Sequence, residues 1–207
     1  MTKTLRTALL VCSAVVIVAS ATLPASAYCL TGVRWTGDGD PTVYYNASGK
    51  VTTGQCISSG QMDSAVTSGI TAWRVLEYGG TTTAKANRRD GRNTVGWAKL
   101  GGGTLGITNY LKYGSPINSC SGNNFQTLYE ADVRHTTQYR WTSGGGQCPC
   151  AAGSAFYLNG VSEHEFGHVI GLCHSNQQAA LMYPSFGVCE NKSAGQDDNA
   201  GENALCY

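Results

Sequence analysis

The stretch HEFGHVIGLCHS, from His164 to Ser175, holds three of the four histidines in a chain of 207 residues. His164 and His168 are four residues apart, so a helix would place both imidazoles on one face, one turn apart. Two side chains in that arrangement can bind one metal ion, and neutral imidazole nitrogens suit Zn²⁺. The spacing therefore predicts a metal-binding helix at this point of the chain.

The residues after this pair extend the site to a third ligand. Gly171 can adopt a positive φ, end the helix and turn the chain sharply. That turn would return His174 to the same ion and leave the fourth zinc position open, as in catalytic rather than structural sites. Glu165, beside the first histidine, can reach a zinc-bound water there and is the predicted general base.

Together with ALMYPSF at 180–186, this pattern resembles the matrixin (matrix metalloproteinase) branch of the metzincin proteases. The resemblance implies an α+β catalytic domain with a mixed twisted sheet, an active-site helix and a C-terminal helix. It also implies that Met182 forms a tight turn beneath the zinc, and that Pro184 and Phe186 wall the substrate pocket.

Further segments resemble the same family more loosely, namely YCLTGVRW at 28–35, EADV at 130–133 and QDDNAGENALCY at 196–207. In the last of these, the resemblance implies that Asp197 and Asp198 support the methionine turn and can receive the N-terminal ammonium group. The likeness therefore covers most of the chain and is strongest around the histidines.

The resemblance implies a zinc-dependent endopeptidase, in which Glu165 activates a zinc-bound water for attack on a peptide bond. An extended substrate would pair its backbone with a strand edge, for which GGGTLGIT at 101–108 is the candidate. The pocket walls imply a preference for an apolar residue after the scissile bond. The expected partners are protein or peptide substrates, and the expected state is a monomer.

Some features of the family have no counterpart in this chain. Neither a cysteine-switch propeptide nor the histidine-rich loop of a structural zinc site is found, so latency through a prodomain thiolate is not expected. His135 is the remaining histidine, and we expect it on the surface of a strand. GDGD at 37–40 offers carboxylates to Ca²⁺ or forms a plain turn, and the turn is the favoured interpretation.

The first residues predict export. A short basic segment precedes an apolar stretch at 8–21 that is too short to span a bilayer comfortably, and Ala25-Ser26-Ala27 fits a cleavage site. We expect a secretory signal peptide at 1–27 and a single extracellular catalytic domain at 28–207, with an uncleaved membrane anchor as the alternative.

Eight cysteines remain once Cys12 is removed with the leader, and an even number in an exported chain predicts four disulfides of undetermined pairing. They are Cys29, Cys56, Cys120, Cys148, Cys150, Cys173, Cys189 and Cys206. A zinc thiolate or redox switch is the alternative for Cys173, and a metal or redox motif is the alternative for CPC at 148–150. Structural disulfides are the favoured interpretation of both.

The charge balance narrows the range of partners. Fourteen basic and thirteen acidic side chains give a formal net charge of +1. Nucleic acids and membrane surfaces usually require a basic excess on one face, so neither is expected as a partner. The competing functions are a zinc-bound binding protein, a zinc amidase acting on cell-wall peptides and a structural zinc domain. An intact Glu165 argues against the first, and the three-ligand open site argues against the last.

Hydrophobic periodicity predicts an α+β order of elements. Met62, Val66 and Ile70 have helical spacing, with Ser58 or Ser59 as the N-cap and Gly79-Gly80 as the end. The other predicted elements are strands around 43–45, 93–100, 101–111 and 125–136, a loop at 140–160, and helices at about 160–172 and 197–205.

Overall fold

The computed structural model describes residues 27–36, 40–120, 122–143 and 155–207, with the backbone alone at 115–120. The predictions for the signal peptide, for GDGD at 37–40 and for CPC at 148–150 lie wholly or largely outside these residues. Within the described part, no helix combines the length and the apolar character needed to cross a membrane.

Short strands alternate with helices along the described chain. In order, the elements are β1 (Cys29–Leu30), β2 (Val33–Arg34), β3 (Thr42–Tyr45), α1 (Ser59–Thr71), β4 (Glu77–Thr81), β5 (Asn93–Ala98), β6 (Gly106–Cys120), β7 (Asn123–Thr136), β8 (Arg140–Thr142), β9 (Ala155–Tyr157), α2 (Leu158–Ile170), β10 (Leu172–Cys173) and α3 (Gln196–Ala204). The α+β fold class is confirmed.

Parallel pairing dominates the main sheet. Its strands follow the order β2-β7-β5-β3-β4, and each neighbouring pair in that path is parallel. Strand β6 makes the sheet mixed because it runs antiparallel to β7, with Gly106 opposite His135 and Thr108 opposite Val133. Among the described strands β6 pairs with β7 alone, so its outer edge is free for another extended polypeptide.

Helix α1 buries the apolar stripe that its spacing predicts. The side chains of Met62, Val66 and Ile70 have no exposed surface, and the helix packs against α2 in the core. Ser58 is the N-cap: its Oγ accepts a hydrogen bond from Gln61 N at 3.3 Å, while Ser58 N donates to Gln61 Oε1 at 2.9 Å. These reciprocal bonds satisfy donors that a helix start would otherwise leave unpaired.

The predicted end of α1 at Gly79-Gly80 is wrong. The helix ends at Thr71, and both glycines belong to β4, which pairs with β3. A Cβ atom on Gly79 would clash with the side chain of Thr42 in β3. The glycine therefore allows a side chain of the neighbouring strand to approach closely, which helix periodicity cannot reveal.

Most of the remaining boundaries agree with the predictions to within a few residues. The strand predicted at 101–111 does not, because β6 runs from Gly106 to Cys120. Helices α2 and α3 begin and end within two residues of the predicted limits. The loop predicted at 140–160 was wrong in part, because β8 and β9 pair in parallel there and α2 starts directly after β9. Three-residue strands carry too little pattern to be recognised from sequence.

Cys173 forms a disulfide with Cys29, which joins β10 to β1 across a sequence separation of 144 residues. This pairing confirms the structural interpretation of Cys173 and excludes a zinc thiolate at that position. Cys56, Cys189 and Cys206 are disulfide-bonded as well.

His135 was expected on the surface of a strand, and this prediction is wrong because the residue lies in the core. Its side chain has no exposed area, its Nε2 lies 3.1 Å from Ser162 Oγ, and its ring packs against Trp97 and Trp141. Burial lowers the pKa of His135 to about 3, so the ring is neutral at physiological pH. Strand alternation places it on the same face as buried Val133, a signal that the sequence already carried.

Because the folded-state pKa of His135 is depressed, its burial makes stability depend on pH. The unfolded chain, with a histidine pKa of about 6.5, binds one more proton than the folded chain between roughly pH 6.5 and 3. The stability associated with the neutral ring is therefore present above about pH 6.5 and lost as the pH falls. We expect His135 to account for a loss of about 2 kcal/mol in the free energy of unfolding between pH 7 and pH 5.

Urea unfolding of the wild type and of His135→Gln at both pH values measures this contribution. The glutamine side chain can keep a hydrogen bond to Ser162, and the other histidines titrate equally in both proteins. Between pH 7 and pH 5, the free energy of unfolding of His135→Gln should fall by about 2 kcal/mol less than that of the wild type. Equal losses in the two proteins would contradict a neutral, buried His135.

Candidate active site

Helix α2 and the turn after it bring three histidines together. His164 and His168 lie one turn apart on α2, and the helix ends at Gly171 with a φ of 110°. A Cβ atom on Gly171 would clash with the carbonyl oxygen of Val33, so both the backbone conformation and the space require glycine. The chain then passes through β10 and places His174 beside the other two rings.

The three imidazoles fit a zinc ion. One ligand nitrogen of each ring lies within 4.8 Å of the others, and His168 Nε2 lies 3.2 Å from His174 Nε2. A tetrahedral zinc with bonds of ~2.0–2.1 Å requires ligand atoms about 3.3 Å apart, which matches that separation. Within the described residues, no other group of three or more His, Cys, Asp or Glu side chains has this geometry.

Backbone carbonyl groups orient two of the rings. His164 Nδ1 lies 2.8 Å from the carbonyl oxygen of Leu181, and His168 Nδ1 lies 2.7 Å from that of Leu172. An Nδ1–H group that donates to a carbonyl leaves the lone pair on Nε2, the nitrogen that faces the other rings. The two hydrogen bonds therefore select the tautomer that a metal ion needs.

Burial also keeps the histidines in the metal-binding protonation state. Burial, and secondly the neighbouring His168, lowers the pKa of His164 to about 3. Burial lowers the pKa of His168 to about 4 and that of His174 in the same direction. Because a histidine must be neutral to bind a metal, the three rings are ready to do so at physiological pH.

Glu165 is buried beside this cluster, with 5% of its surface exposed. Burial raises the pKa of its carboxyl group to about 7, and a hydrogen bond from Thr108 opposes that shift. Thr108 Oγ1 donates to Glu165 Oε2 at 2.7 Å from strand β6. Thr108 lies at the end of the predicted substrate-binding segment 101–108, but its contact with Glu165 was not predicted, because a threonine in a strand carries no local sign of a buried partner.

Asp198 holds the segment that carries Met182. Its carboxylate accepts hydrogen bonds from Leu181 N at 3.0 Å, Met182 N at 2.9 Å and Gly195 N at 2.9 Å. Met182 is 2% exposed and contacts Gly167, the residue between the two helical histidines in the turn of α2. Met182 therefore packs against the turn of α2 that carries His164 and His168, and its role beneath the zinc stays a prediction.

Asp197 connects the same segment to the N-terminal part of the chain. One carboxylate oxygen accepts a hydrogen bond from Ser175 Oγ at 2.7 Å, and the other accepts from Ala27 N at 2.6 Å and from Gln177 Nε2 at 3.3 Å. The first mature residue predicted from sequence directly follows Ala27. Asp197 therefore binds the backbone next to the predicted mature N-terminus, and its contact with a terminal ammonium group stays a prediction.

A cleft lined by His164, Glu165 and His174 contains a cavity of ≈ 380 Å³. Pro184, Ser185 and Phe186 form one wall, and the Phe186 ring lies 5.5 Å from the His164 ring at an interplanar angle of 83°. Residues 103–106, within the predicted substrate-binding segment, also line the cavity. Tyr139, Phe156 and Val161 complete the lining and were not predicted.

Lys192 supports the Phe186 wall and was also missed. It is 7% exposed, and its ammonium group lies over the rings of Tyr183 and Phe186, at 4.7 and 5.3 Å from their centres. Nζ donates a hydrogen bond to the carbonyl oxygen of Ser185 at 3.2 Å. A buried lysine in a polar loop has no sequence signal, because its partners are set by the folded loop.

Replacing Asp198 with asparagine should destabilise the protein. The amide group of asparagine cannot accept hydrogen bonds at both positions, so at least one buried N–H group of the Met182 segment loses its partner. Such a loss costs roughly 1–3 kcal/mol, which we expect as the fall in the free energy of unfolding. Asp90→Asn is the matched control, because Asp90 is exposed and accepts from Arg92 N. Equal effects of the two substitutions on urea unfolding would contradict this role of Asp198.

Comparison with known proteins shows which family the C-terminal part of the chain is similar to. Residues 116–206 match the family model described as matrixin. The chain is 40% identical over 66 residues to metalloendoproteinase 1 of Glycine max, covering 31% of this chain and 22% of that protein. It is 49% identical over 47 residues to neutrophil collagenase of Homo sapiens, covering 22% and 10%, and 44% identical over 50 residues to interstitial collagenase of Bos taurus, covering 24% and 11%.

The chain thus spans less than a quarter of the length of each of these relatives. The matched region contains the three histidines, Glu165 and the Met182 segment, and a matrixin match supports zinc-dependent endopeptidase chemistry. Residues 116–206 of this chain are thus similar to the matrixins, and the α+β fold with its histidine cluster is consistent with a metzincin-like catalytic domain.

Proposed function

We propose that this chain is a secreted zinc-dependent endopeptidase with a preference for an apolar residue after the scissile bond. One observation carries the proposal: three histidines whose ligand nitrogens lie within 4.8 Å of one another open onto a cleft, and a buried carboxyl group beside them also contacts a strand with a free edge. A structural zinc site would close the fourth position and has no need for the cleft or the carboxyl group.

His164, His168 and His174 are the proposed zinc ligands, each through the nitrogen that faces the other rings. The zinc ion, when bound, would supply the Lewis acidity that polarises a peptide carbonyl and acidifies water. The protein contributes ligand orientation, through the carbonyl groups of Leu181 and Leu172, and burial of His164 and Glu165, which strengthens their electrostatic interactions.

Glu165 is the proposed general base. Its raised pKa, about 7, means that the carboxyl group can accept a proton from water and return it to a leaving amine at neutral pH. A carboxylate at its ordinary pKa would be a much weaker base, while a group of much higher pKa would already be protonated. Burial by α2 and β6 thus suits the residue to both transfers.

The free edge of β6 is the proposed docking site for the substrate backbone. A peptide laid along this edge adds a strand to the sheet and uses the unpaired N–H and C=O groups of the start of β6. Its side chains alternate, so one of them can enter the cavity walled by Pro184, Phe186 and Val161. These walls are apolar, which favours an apolar side chain in that position.

The remaining proposals concern the cellular setting. The predicted signal peptide at 1–27 would direct the chain to the outside of the cell, where the Cys29–Cys173 disulfide is stable. We propose that the mature chain acts as a monomer on protein or peptide substrates. A Ca²⁺ ion as a second cofactor stays an expectation from the GDGD segment alone.

Glu165→Gln tests the proposed base. The glutamine amide keeps the size of the side chain and cannot accept a proton, so kcat/KM on casein-derived peptides should fall by at least ~10²-fold. Zinc content, measured by mass spectrometry, should stay at the wild-type level. His168→Asn is the matched control for the metal site and should lose both zinc affinity and activity.

The same experiment separates the competing functions. If the wild type binds one zinc ion and cleaves no protein or peptide, the metal site stands and the peptidase proposal fails. Hydrolysis of cell-wall peptide fragments alone would then support the amidase alternative. Full activity of Glu165→Gln would remove the glutamate from the mechanism.

A peptide series tests the pocket. Substrates that differ only in the residue after the scissile bond should be cleaved in the order Leu or Phe above Ala, with Asp last. We expect kcat/KM to differ by roughly 10- to 200-fold between Leu and Ala, because burial of the longer apolar side chain contributes about 1–3 kcal/mol. Equal rates for Leu, Ala and Asp would contradict the apolar pocket.

A further inference from the structure

We propose that Thr108 is a positioning residue, which holds the carboxyl group of Glu165 in place from the edge strand β6. The inference rests on the endopeptidase function proposed above and deepens its account of Glu165. It assigns a second task to the start of β6, the segment that is also the proposed docking edge for substrate.

Thr108 contacts Glu165 at two atoms. Its Oγ1 lies 2.7 Å from Glu165 Oε2 and 3.0 Å from the backbone oxygen of the same residue. A hydroxyl group has one proton and two lone pairs, so it can donate to only one of these oxygens at a time while accepting from another group. The carboxyl group therefore keeps a partner on β6 throughout a proton transfer, whichever of the two groups is the donor.

Gly106, in the same strand, leaves the space that the Glu165 side chain occupies. Gly106 and Thr108 are two residues apart in β6 and face α2, while Ile107 between them is 36% exposed. A Cβ atom on Gly106 would lie 2.6 Å from Cγ and from Oε1 of Glu165, closer than atoms pack in proteins. The Glu165 side chain thus fills the space that the missing side chain leaves, with its carboxyl group beneath the Thr108 hydroxyl.

The strand that carries these residues is itself fixed. Gly106 is paired with His135 and Thr108 with Val133 on β7, and both β7 side chains are fully buried. His135 Nε2 in turn lies 3.1 Å from Ser162 Oγ on α2, three residues before Glu165. Strand β7 is therefore hydrogen-bonded to α2, as β6 is through Thr108. The packing of β6, β7 and α2 in the core thus sets the distance between β6 and Glu165.

A purely structural role for Thr108 would need only the bond to the Glu165 backbone oxygen, which ties β6 to α2. The bond to Oε2 does something different, because it limits the rotation of a side chain. A base displaced by about 1 Å loses roughly 10²-fold in rate, so restriction of this carboxyl group matters for catalysis. A structural role and a positioning role therefore predict different effects on kcat and on the number of rotamers that the Glu165 side chain occupies.

Two substitutions, Thr108→Val and Thr108→Ser, distinguish a positioning role of Thr108 from a purely structural one. Valine keeps the shape of threonine and removes the hydroxyl group, while serine keeps the hydroxyl group and removes a methyl group. Thr94→Val is the matched control, because Thr94 is 1% exposed and its Oγ1 has no hydrogen-bond partner among the described residues. We expect Thr108→Val to lower kcat roughly 10- to 100-fold with KM changed less than about threefold, and Thr108→Ser and Thr94→Val to stay within about threefold of wild type.

Crystal structures of the wild type and Thr108→Val give a readout that does not depend on activity. The wild-type carboxyl group should occupy one rotamer against Gly106, and the variant should show a displaced or divided side chain. If the wild type is active and Thr108→Val matches it in kcat, the proposal is overturned while the function stands. If no peptide is cleaved by any protein, the function fails, and an unchanged Glu165 rotamer in the variant overturns the proposal independently.

Discussion

The left-handed turn at Gly171 is the constraint on which the site depends. It ends α2 one residue after Ile170, directs the chain into β10, and places the third histidine beside the two on the helix. The carbonyl oxygen of Gly171 accepts hydrogen bonds from Thr31 N and Thr31 Oγ1, both at 2.9 Å. The same turn thus anchors the N-terminal segment, which the Cys29–Cys173 disulfide then joins covalently to β10. A residue with a Cβ atom at 171 would disturb all of these contacts, because the carbonyl oxygen of Val33 occupies its space.

The other side of the histidine cluster is held from the C-terminal helix. Asp198 satisfies three backbone N–H groups around the Met182 segment, and Asp197 connects Ser175 to the start of the described chain. Buried carboxylates are costly unless each oxygen has donors, and here the donors belong to the segments that surround the site. The floor of the site is therefore built from parts of the chain that are far apart in sequence, and its stability is that of the whole domain.

In the proposed function, strand β6 takes part both in substrate binding and in positioning the catalytic base. Its outer edge is free for a substrate backbone, and its inner face contacts the carboxyl group of Glu165 through Gly106 and Thr108. Because side chains alternate along a strand, one short segment can serve both purposes without conflict. The peptide bond to be cleaved and the base that acts near it would then be aligned by the same backbone, which reduces the freedom lost on reaching the reactive geometry.

The sequence by itself predicted the proposed metal ligands and base, and it determined the helix that carries them and the α+β class. These features depend on local spacing: 3.6 residues per turn, a glycine at the helix end and a periodic apolar stripe. The core position of His135 was also within reach of strand alternation, although a surface was expected. The tertiary structure alone decided the partner of Cys173, the closeness of Gly79 to β3, and the contacts of Thr108 and Lys192. Each of these joins residues that are distant along the chain or lie in irregular loops, where no periodicity records which side chain will be the neighbour. The buried hydroxyl of Thr108 meets Glu165 only because β6, β7 and α2 pack together, and packing is a property of the folded chain.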